Sequence, residues 1–213
     1  MDPDAVEIRV AGCLVEKQRT TPDAYPLSLN ALRLACNQAT NRDPVVDYDD
    51  ATVSEALRRL ALRGWTRLAS GAGSRARKYR HLLPEALSVD DAELSLLAVL
   101  MLRGPQTPGE LKQRSERLHA FADRAAVELA LDTLVERELI ARHQRRPGQK
   151  EERYSQLLGG EEPVAAPAAS VEAEPPAEQS GSTEEDDRLE RLERELAALR
   201  DEVTRLREAL GEG

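Results

Sequence analysis

VSEALRRLALRGWTRLASGAGSRARKYRHLL, residues 53–83, reads as a helix running straight into a two-stranded hairpin. Val53, Leu57 and Leu60 recur at helical spacing; after Trp65, the short runs 66–70 and 75–83 flank the turn Gly71-Ala72-Gly73-Ser74. The pattern returns in VELALDTLVERELIARHQRRPGQKEERYSQLL, residues 127–158. There Val127, Leu131, Leu134 and Leu139 lead through 140–144 and the turn Arg146-Pro147-Gly148-Gln149 to 151–158. The offset is 74 residues along the helix and 75 at Tyr79/Tyr154, Leu82/Leu157 and Leu83/Leu158.

The repeat extends backwards, since Val10, Leu14 and Thr21-Pro22 match Leu96, Leu100 and Thr107-Pro108 at an offset of 86. Copy one therefore carries about a dozen extra residues between its first and third helices. Each copy reads as helix, helix, helix, hairpin, because helical spacing gives way to short alternating runs rich in turn residues. The expected class is mainly α with small β-hairpins (α+β): two tandem winged-helix domains, at 1–84 and 85–158.

With 213 residues the chain holds two small domains with modest cores, and aromatics are scarce at 3 %, so those cores rest on Leu, Val and Ala. The start, Met1-Asp2-Pro3-Asp4, has no signal-peptide pattern, and the longest apolar run, 94–102, falls far below the roughly 20 residues that span a bilayer. A cytoplasmic protein without a membrane segment is expected. Cys13 and Cys36 fall on apolar helix faces and read as buried reduced thiols. Two Cys and three His (His81, His119, His143) show no metal-ligand spacing, so neither metal nor cofactor is expected.

Net charge is −9, but residues 159–213 hold 16 acidic residues against 6 Arg, while 1–158 carry 24 Lys and Arg against 23 Asp and Glu. Acidity is a property of the tail. Residues 159–181, rich in Ala, Pro and Glu, read as a disordered linker. From Ser182, which makes a capping box with Glu185, the pattern changes over 182–211. Leu189, Leu192, Leu196, Leu199, Val203, Leu206 and Leu210 occupy alternating three- and four-residue spacings, the a and d positions of a coiled coil. A parallel pair would set Arg188 against Glu193, Glu195 against Arg200 and Glu202 against Arg207. A homodimer joined by this helix is expected, the alternative being a helix that stays single or docks on its own domains.

With Val53, Leu57 and Leu60 turned inward, helix 49–63 would expose Thr52, Ser54, Glu55, Arg58, Arg59 and Arg63, and its wing supplies Arg75, Arg77, Lys78 and Arg80. The third helix of a winged helix commonly enters the major groove while the wing touches backbone, and Arg forks suit phosphates and guanine edges alike. The competing reading pairs these arginines with local carboxylates on a solvated face. Copy two is a poorer reader, because helix 123–138 shows Glu128, Asp132, Glu136 and Glu138 against Arg124 and Arg137, although its wing carries Arg145, Arg146 and Lys150.

The segment Thr20-Thr21-Pro22-Asp23-Ala24-Tyr25-Pro26-Leu27-Ser28-Leu29-Asn30, continuing through Cys36-Asn37-Gln38 to Asn41-Arg42-Asp43-Pro44, is dense in Asn, Gln, Asp and Arg. Such residues either cap buried backbone groups or present a recognition surface. With Arg103-Gly104-Pro105-Gln106-Thr107-Pro108-Gly109-Glu110-Leu111 and Arg114-Ser115-Glu116-Arg117-Leu118, it strongly resembles the bacterial YceH family, also called UPF0502, of unknown function. The resemblance covers roughly 5–158 and implies a tandem winged-helix fold in a bacterial cytosolic protein, but no activity, substrate or site residue.

Catalysis is not expected: no His has a partnered nucleophile at readable spacing, and Gly71-Ala72-Gly73 sits in a hairpin turn, not between strand and helix. Two functions remain. The first is a dimeric, regulatory protein that binds double-stranded DNA through Arg58, Arg59, Arg63 and the wing, with the acidic tail a candidate DNA mimic. The alternative is a protein-interaction adaptor of the chromosome-organisation type, in which winged helices bind a protein partner.

Overall fold

A computed structural model describes residues 2–69, 77–145 and 151–159. These fall in one compact unit, Met1–Val164, distinct from Ala165–Gly213. The linker, the heptad positions Leu189 to Leu210, and Arg75 lie outside the described residues.

The chain is α with small antiparallel sheets. Its elements run α1 (Ala5–Thr20), a 3-10 turn (Pro22–Ala24), β1 (Leu27–Ser28), α2 (Leu29–Cys36), α3 (Asp50–Leu62), β2 (Thr66–Leu68) and β3 (Lys78–His81). Then follow α4 (Leu83–Leu87), α5 (Asp91–Arg103), α6 (Pro108–Ser115), α7 (Arg124–Glu136), β4 (Ile140–His143) and β5 (Arg153–Gln156). β1, β3 and β2 form a three-stranded sheet with β3 in the middle, and β4 pairs with β5.

The internal repeat is written into the hydrogen bonds. α1 and α5 each start on a capping box, Asp4 with Glu7 and Asp90 with Glu93, at an offset of 86. α3 and α7 start on Asp49 and Asp123, whose side chains accept from Thr52 and Ala126, at an offset of 74. Each of these helices ends in a residue at positive φ, Gly64 (75°) and Glu138 (55°). Trp65 N–H then donates to Leu60 C=O as Leu139 N–H does to Leu134 C=O, both turning the chain into its hairpin.

One detail of the expected alignment is corrected. Thr107 caps α6, yet its counterpart is Ser28, which caps α2, and not Thr21, which opens the 3-10 turn. The offset at the second helix is thus 79, and it brings Leu32 onto Leu111 and Cys36 onto Ser115, all fully buried. β3 also ends at His81, short of the expected run to 83, because Pro84, admitted in the first turn of a helix, starts α4 at Leu83.

Both copies share one hydrophobic cluster, with Leu14, Leu32, Leu60 and Leu83 from the first and Leu96, Leu111, Leu131 and Leu134 from the second. α1 lies directly on α5: a Cβ at Gly12 would meet Leu102 at 3.0 Å and Met101 at 3.1 Å, so a larger residue there requires these side chains to give by a few tenths of an ångström. Cys13 and Cys36 are buried free thiols within this core. No helix among the described residues is long and apolar enough to cross a membrane.

Candidate nucleic-acid interface

The periodicity of α3 buries Val53, Ala56, Leu57 and Leu60 and turns its arginines to the other side. There they meet carboxylates. Arg58 forms a two-pronged bond to Glu55, at 2.8 and 2.6 Å. Arg59 reaches Asp4 at 2.7 Å and lies 3.8 Å from Glu7 and 3.9 Å from Glu55. Arg63 donates to Glu7 at 3.1 Å, and the Glu7 side chain is only 2 % exposed. The capping box that starts α1 therefore also clamps the end of α3.

Copy two repeats this clamp. Arg137, at the offset of 74 from Arg63, bonds Glu93 at 3.3 Å, and Glu93 stands at the offset of 86 from Glu7. An ion pair that recurs at equivalent positions of both copies is part of the scaffold, whatever else Arg63 does.

The hairpin of copy one is different. Register pairs Thr66 with His81, Arg67 with Arg80, and Leu68 with Tyr79 across β2 and β3, while Ser28 of β1 faces Lys78. Side chains alternate along a strand and cross-strand partners share a face. Thr66 and His81 are buried, so Ser28, Arg67, Lys78 and Arg80 stand together on the outer face. Among the described residues, Arg67, Arg77 and Arg80 make no ion pair, and Arg80 Nε is buried without a hydrogen-bond partner. Like charges directly opposite on a sheet are unfavourable by a few tenths of a kcal/mol to about 1 kcal/mol.

His81 anchors the inner face. Its backbone N–H donates to the Tyr25 hydroxyl at 2.8 Å, and Nε2 lies 2.7 Å from Gln18 Oε1. The Leu83 N–H donates to Nδ1 at 3.4 Å, which places the ring's single N–H on Nε2, where it donates to Gln18 Oε1. Burial pushes the imidazole down to about 4, against a partial opposing pull from Glu85, so it is a neutral structural group.

On copy two Arg124, Arg142 and Arg153 are compensated, while Arg145 makes no ion pair among the described residues. Arg124 bonds Glu128 and Glu151, both at 2.7 Å. Arg142 pairs with Asp132 and stands 5.4 Å over the Tyr154 ring, and Arg153 pairs with Glu110 at 3.2 Å. Arg124, Glu128, Asp132, Arg142, Glu151 and Tyr154 line a cleft of about 400 Å³ between α7 and its hairpin, with Arg145, Glu152 and Pro108. The outer-face pair equivalent to Arg67 and Arg80 is Ala141 opposite Ser155.

Of the polar residues in segment 20–44 Arg42 is interior, Asn37 and Gln38 are half-buried, and Asp23, Asn30, Asn41 and Asp43 are exposed. Arg42, fully buried in its side chain, bonds Glu16 at 3.0 and 2.6 Å, Gln38 at 2.9 Å, and the carbonyls of Ala35 and Asn41. Burial alone would raise the Glu16 carboxyl, but the Arg42 hydrogen bond and charge, helped by Lys17, hold it below its ordinary value. Asn37 donates to Tyr48 C=O at 2.8 Å and accepts from Tyr48 N–H at 2.9 Å. Asp43 N–H donates to Leu102 C=O at 2.9 Å, and Arg103 bonds Asn41, so the loop seals copy one onto α5. In the second polar string, Gln106 pairs its backbone with Tyr154 as Leu27 pairs with Tyr79.

The structure thus brings Lys78 and Arg80 of the expected residues onto one face, leaves Arg77 exposed beside it, and sets Arg58, Arg59 and Arg63 against carboxylates. It adds Arg67, whose signal is strand register and so was unreadable before the pairing was known.

A family model described as protein of unknown function, DUF480, matches residues 4–149. Among relatives, a UPF0502 protein of Pelobacter propionicus is 49 % identical over 204 residues, covering 94 % of this chain and 91 % of that one. Another, of Citrifermentans bemidjiense, is 48 % identical over 196 residues, covering 91 % and 88 %. That of Cronobacter sakazakii is 44 % identical over 218 residues, covering 98 % and 97 %.

Proposed function

The chain belongs to the DUF480 family, whose relatives carry the name UPF0502 protein, and on that footing we propose that it is a cytoplasmic DNA-binding protein of regulatory type. In this reading each copy is a winged helix, copy one contacts duplex DNA and copy two braces it. The C-terminal heptads join two chains as a homodimer; that part rests on the leucine spacing alone.

The observation that carries the reading is the contrast between the two hairpins. Copy one leaves Arg67, Arg77 and Arg80 without ion pairs among the described residues, whereas in copy two Arg124, Arg142 and Arg153 are each held by carboxylates. Uncompensated guanidinium groups on one sheet face are what phosphate binding requires. In this reading the buried His81, with both ring nitrogens engaged within the fold, is a structural group.

A second reading, a protein-interaction adaptor, is favoured by one feature of α7: Leu129 is 70 % exposed between the acidic Glu128 and Asp132. Fluorescence anisotropy of a mixed duplex-DNA library with the full chain at several salt concentrations separates the two. Binding that weakens steeply with salt is the expected result. Absence of binding even at low salt overturns the DNA reading and puts the adaptor first.

A further inference from the structure

We propose that the outer face of the β1–β3–β2 sheet, carrying Ser28, Arg67, Lys78 and Arg80, docks on the phosphate backbone of duplex DNA, in place of the exposed side of α3. The inference rests on the DNA-binding reading and specifies its surface and its chemistry.

Three observations converge. First, α3 is committed elsewhere: freeing Arg59 and Arg63 for a ligand would leave Glu7, buried to 2 %, without its cationic partners. Asp4 and Glu55, lying among those same arginines, would moreover repel phosphates. Second, Arg67 and Arg80 are directly opposed, on strands about 4.8 Å apart. Lys78 stands two residues along β3, roughly 6.7 Å further. Setting Arg67 against Arg80, neither of which makes an ion pair among the described residues, is unfavourable in the free protein and becomes favourable when a polyanion lies across them. Third, the same sheet exists in copy two with this pair replaced by Ala141 and Ser155, and with Arg153, the counterpart of Lys78, bound to Glu110 and to the Pro105 carbonyl. The opposed arginine pair is therefore not demanded by the fold; copy one alone carries it.

Phosphate contacts position a protein without reading bases. Binding through this face is accordingly sequence-tolerant and salt-steep. The test uses the full chain and a random duplex, comparing wild type with Arg67→Ala/Arg80→Ala, Arg67→Lys/Arg80→Lys and Arg58→Ala, each checked by thermal melt. Loss of two phosphate contacts should flatten the slope of log affinity against log salt by about 1.8. Between 50 and 200 mM salt the wild type then loses about 12-fold more affinity than the double alanine variant. The lysine pair should keep the wild-type slope, and Arg58→Ala should bind as wild type does. A double alanine variant that binds like wild type, or a loss confined to Arg58→Ala, overturns the sheet-face assignment while DNA binding itself stands. No binding by the wild type overturns the DNA-binding reading and this inference together.

Discussion

Glu7 is the residue on which α1 and α3 depend for their mutual placement, and replacing it with Gln tests that dependence. Its carboxylate accepts the Asp4 N–H at 3.1 Å and the Arg63 Nε at 3.1 Å, with Arg59 Nε at 3.8 Å. Breaking a fully buried ion pair costs about 3–5 kcal/mol. Here both arginines reach water, with side chains 26 % and 38 % exposed, and Arg59 keeps Asp4. Discounted for that screening, Glu7→Gln costs about 1–2 kcal/mol. Glu93 occupies the equivalent place in copy two with a single arginine, Arg137, so Glu93→Gln costs roughly half as much. For a unit of this size each kcal/mol moves Tm by about 2–4 °C, giving a fall of about 2–8 °C for Glu7→Gln and about 1–4 °C for Glu93→Gln. Scanning calorimetry of the full-length variants reads both. A Glu93→Gln loss equal to or larger than that of Glu7→Gln would refute the argument that the doubled clamp is the stronger one.

His81 predicts a pH dependence. Its folded value near 4 lies below its ordinary 6.5, so it contributes stability above pH 6.5, and that stability drains away as pH falls toward 4. Between pH 8 and pH 5 the loss is about 2 kcal/mol; urea denaturation should show it in wild type and lack it in His81→Gln, and an unchanged slope in the variant would contradict the assignment. Arg42→Ala leaves Glu16, Gln38 and two carbonyls without their shared donor and should cost about 3–5 kcal/mol by urea denaturation; a loss under 1 kcal/mol would return the polar segment to the surface. Leu60→Ala and Leu134→Ala, equivalent and fully buried positions, should each cost about 2–5 kcal/mol, and because one core spans both copies each variant should melt in a single transition. Two resolved transitions would mean that the copies unfold separately.

Periodicity made the repeat legible because helix packing demands apolar residues at three- and four-residue spacing, and both copies meet that demand with Leu and Val. The match of Thr21-Pro22 to Thr107-Pro108 failed for a local reason: Thr-Pro opens a 3-10 turn in one place and an α-helix in the other, and the sequence pair alone carries no register. The fate of Arg59 and Arg63 was not legible, since their partners Asp4 and Glu7 lie more than fifty residues away and meet them only when α1 packs on α3. A hint did exist, in the matched spacing of Asp4-Glu7 and Asp90-Glu93. The polar segment could be read as scaffold or surface until the Arg42 network placed its side chain in the interior. Arg67 could not be singled out, because only strand register sets it opposite Arg80.

Phenylglyoxal labelling of arginines in the full chain, with and without duplex DNA and read by mass spectrometry, tests the account most directly. DNA should protect Arg67, Arg77 and Arg80 and leave Arg142 and Arg145 of copy two as reactive as before. Equal reactivity of the copy-one arginines in both states, or protection confined to copy two, would contradict the claim that copy one is the DNA-binding head.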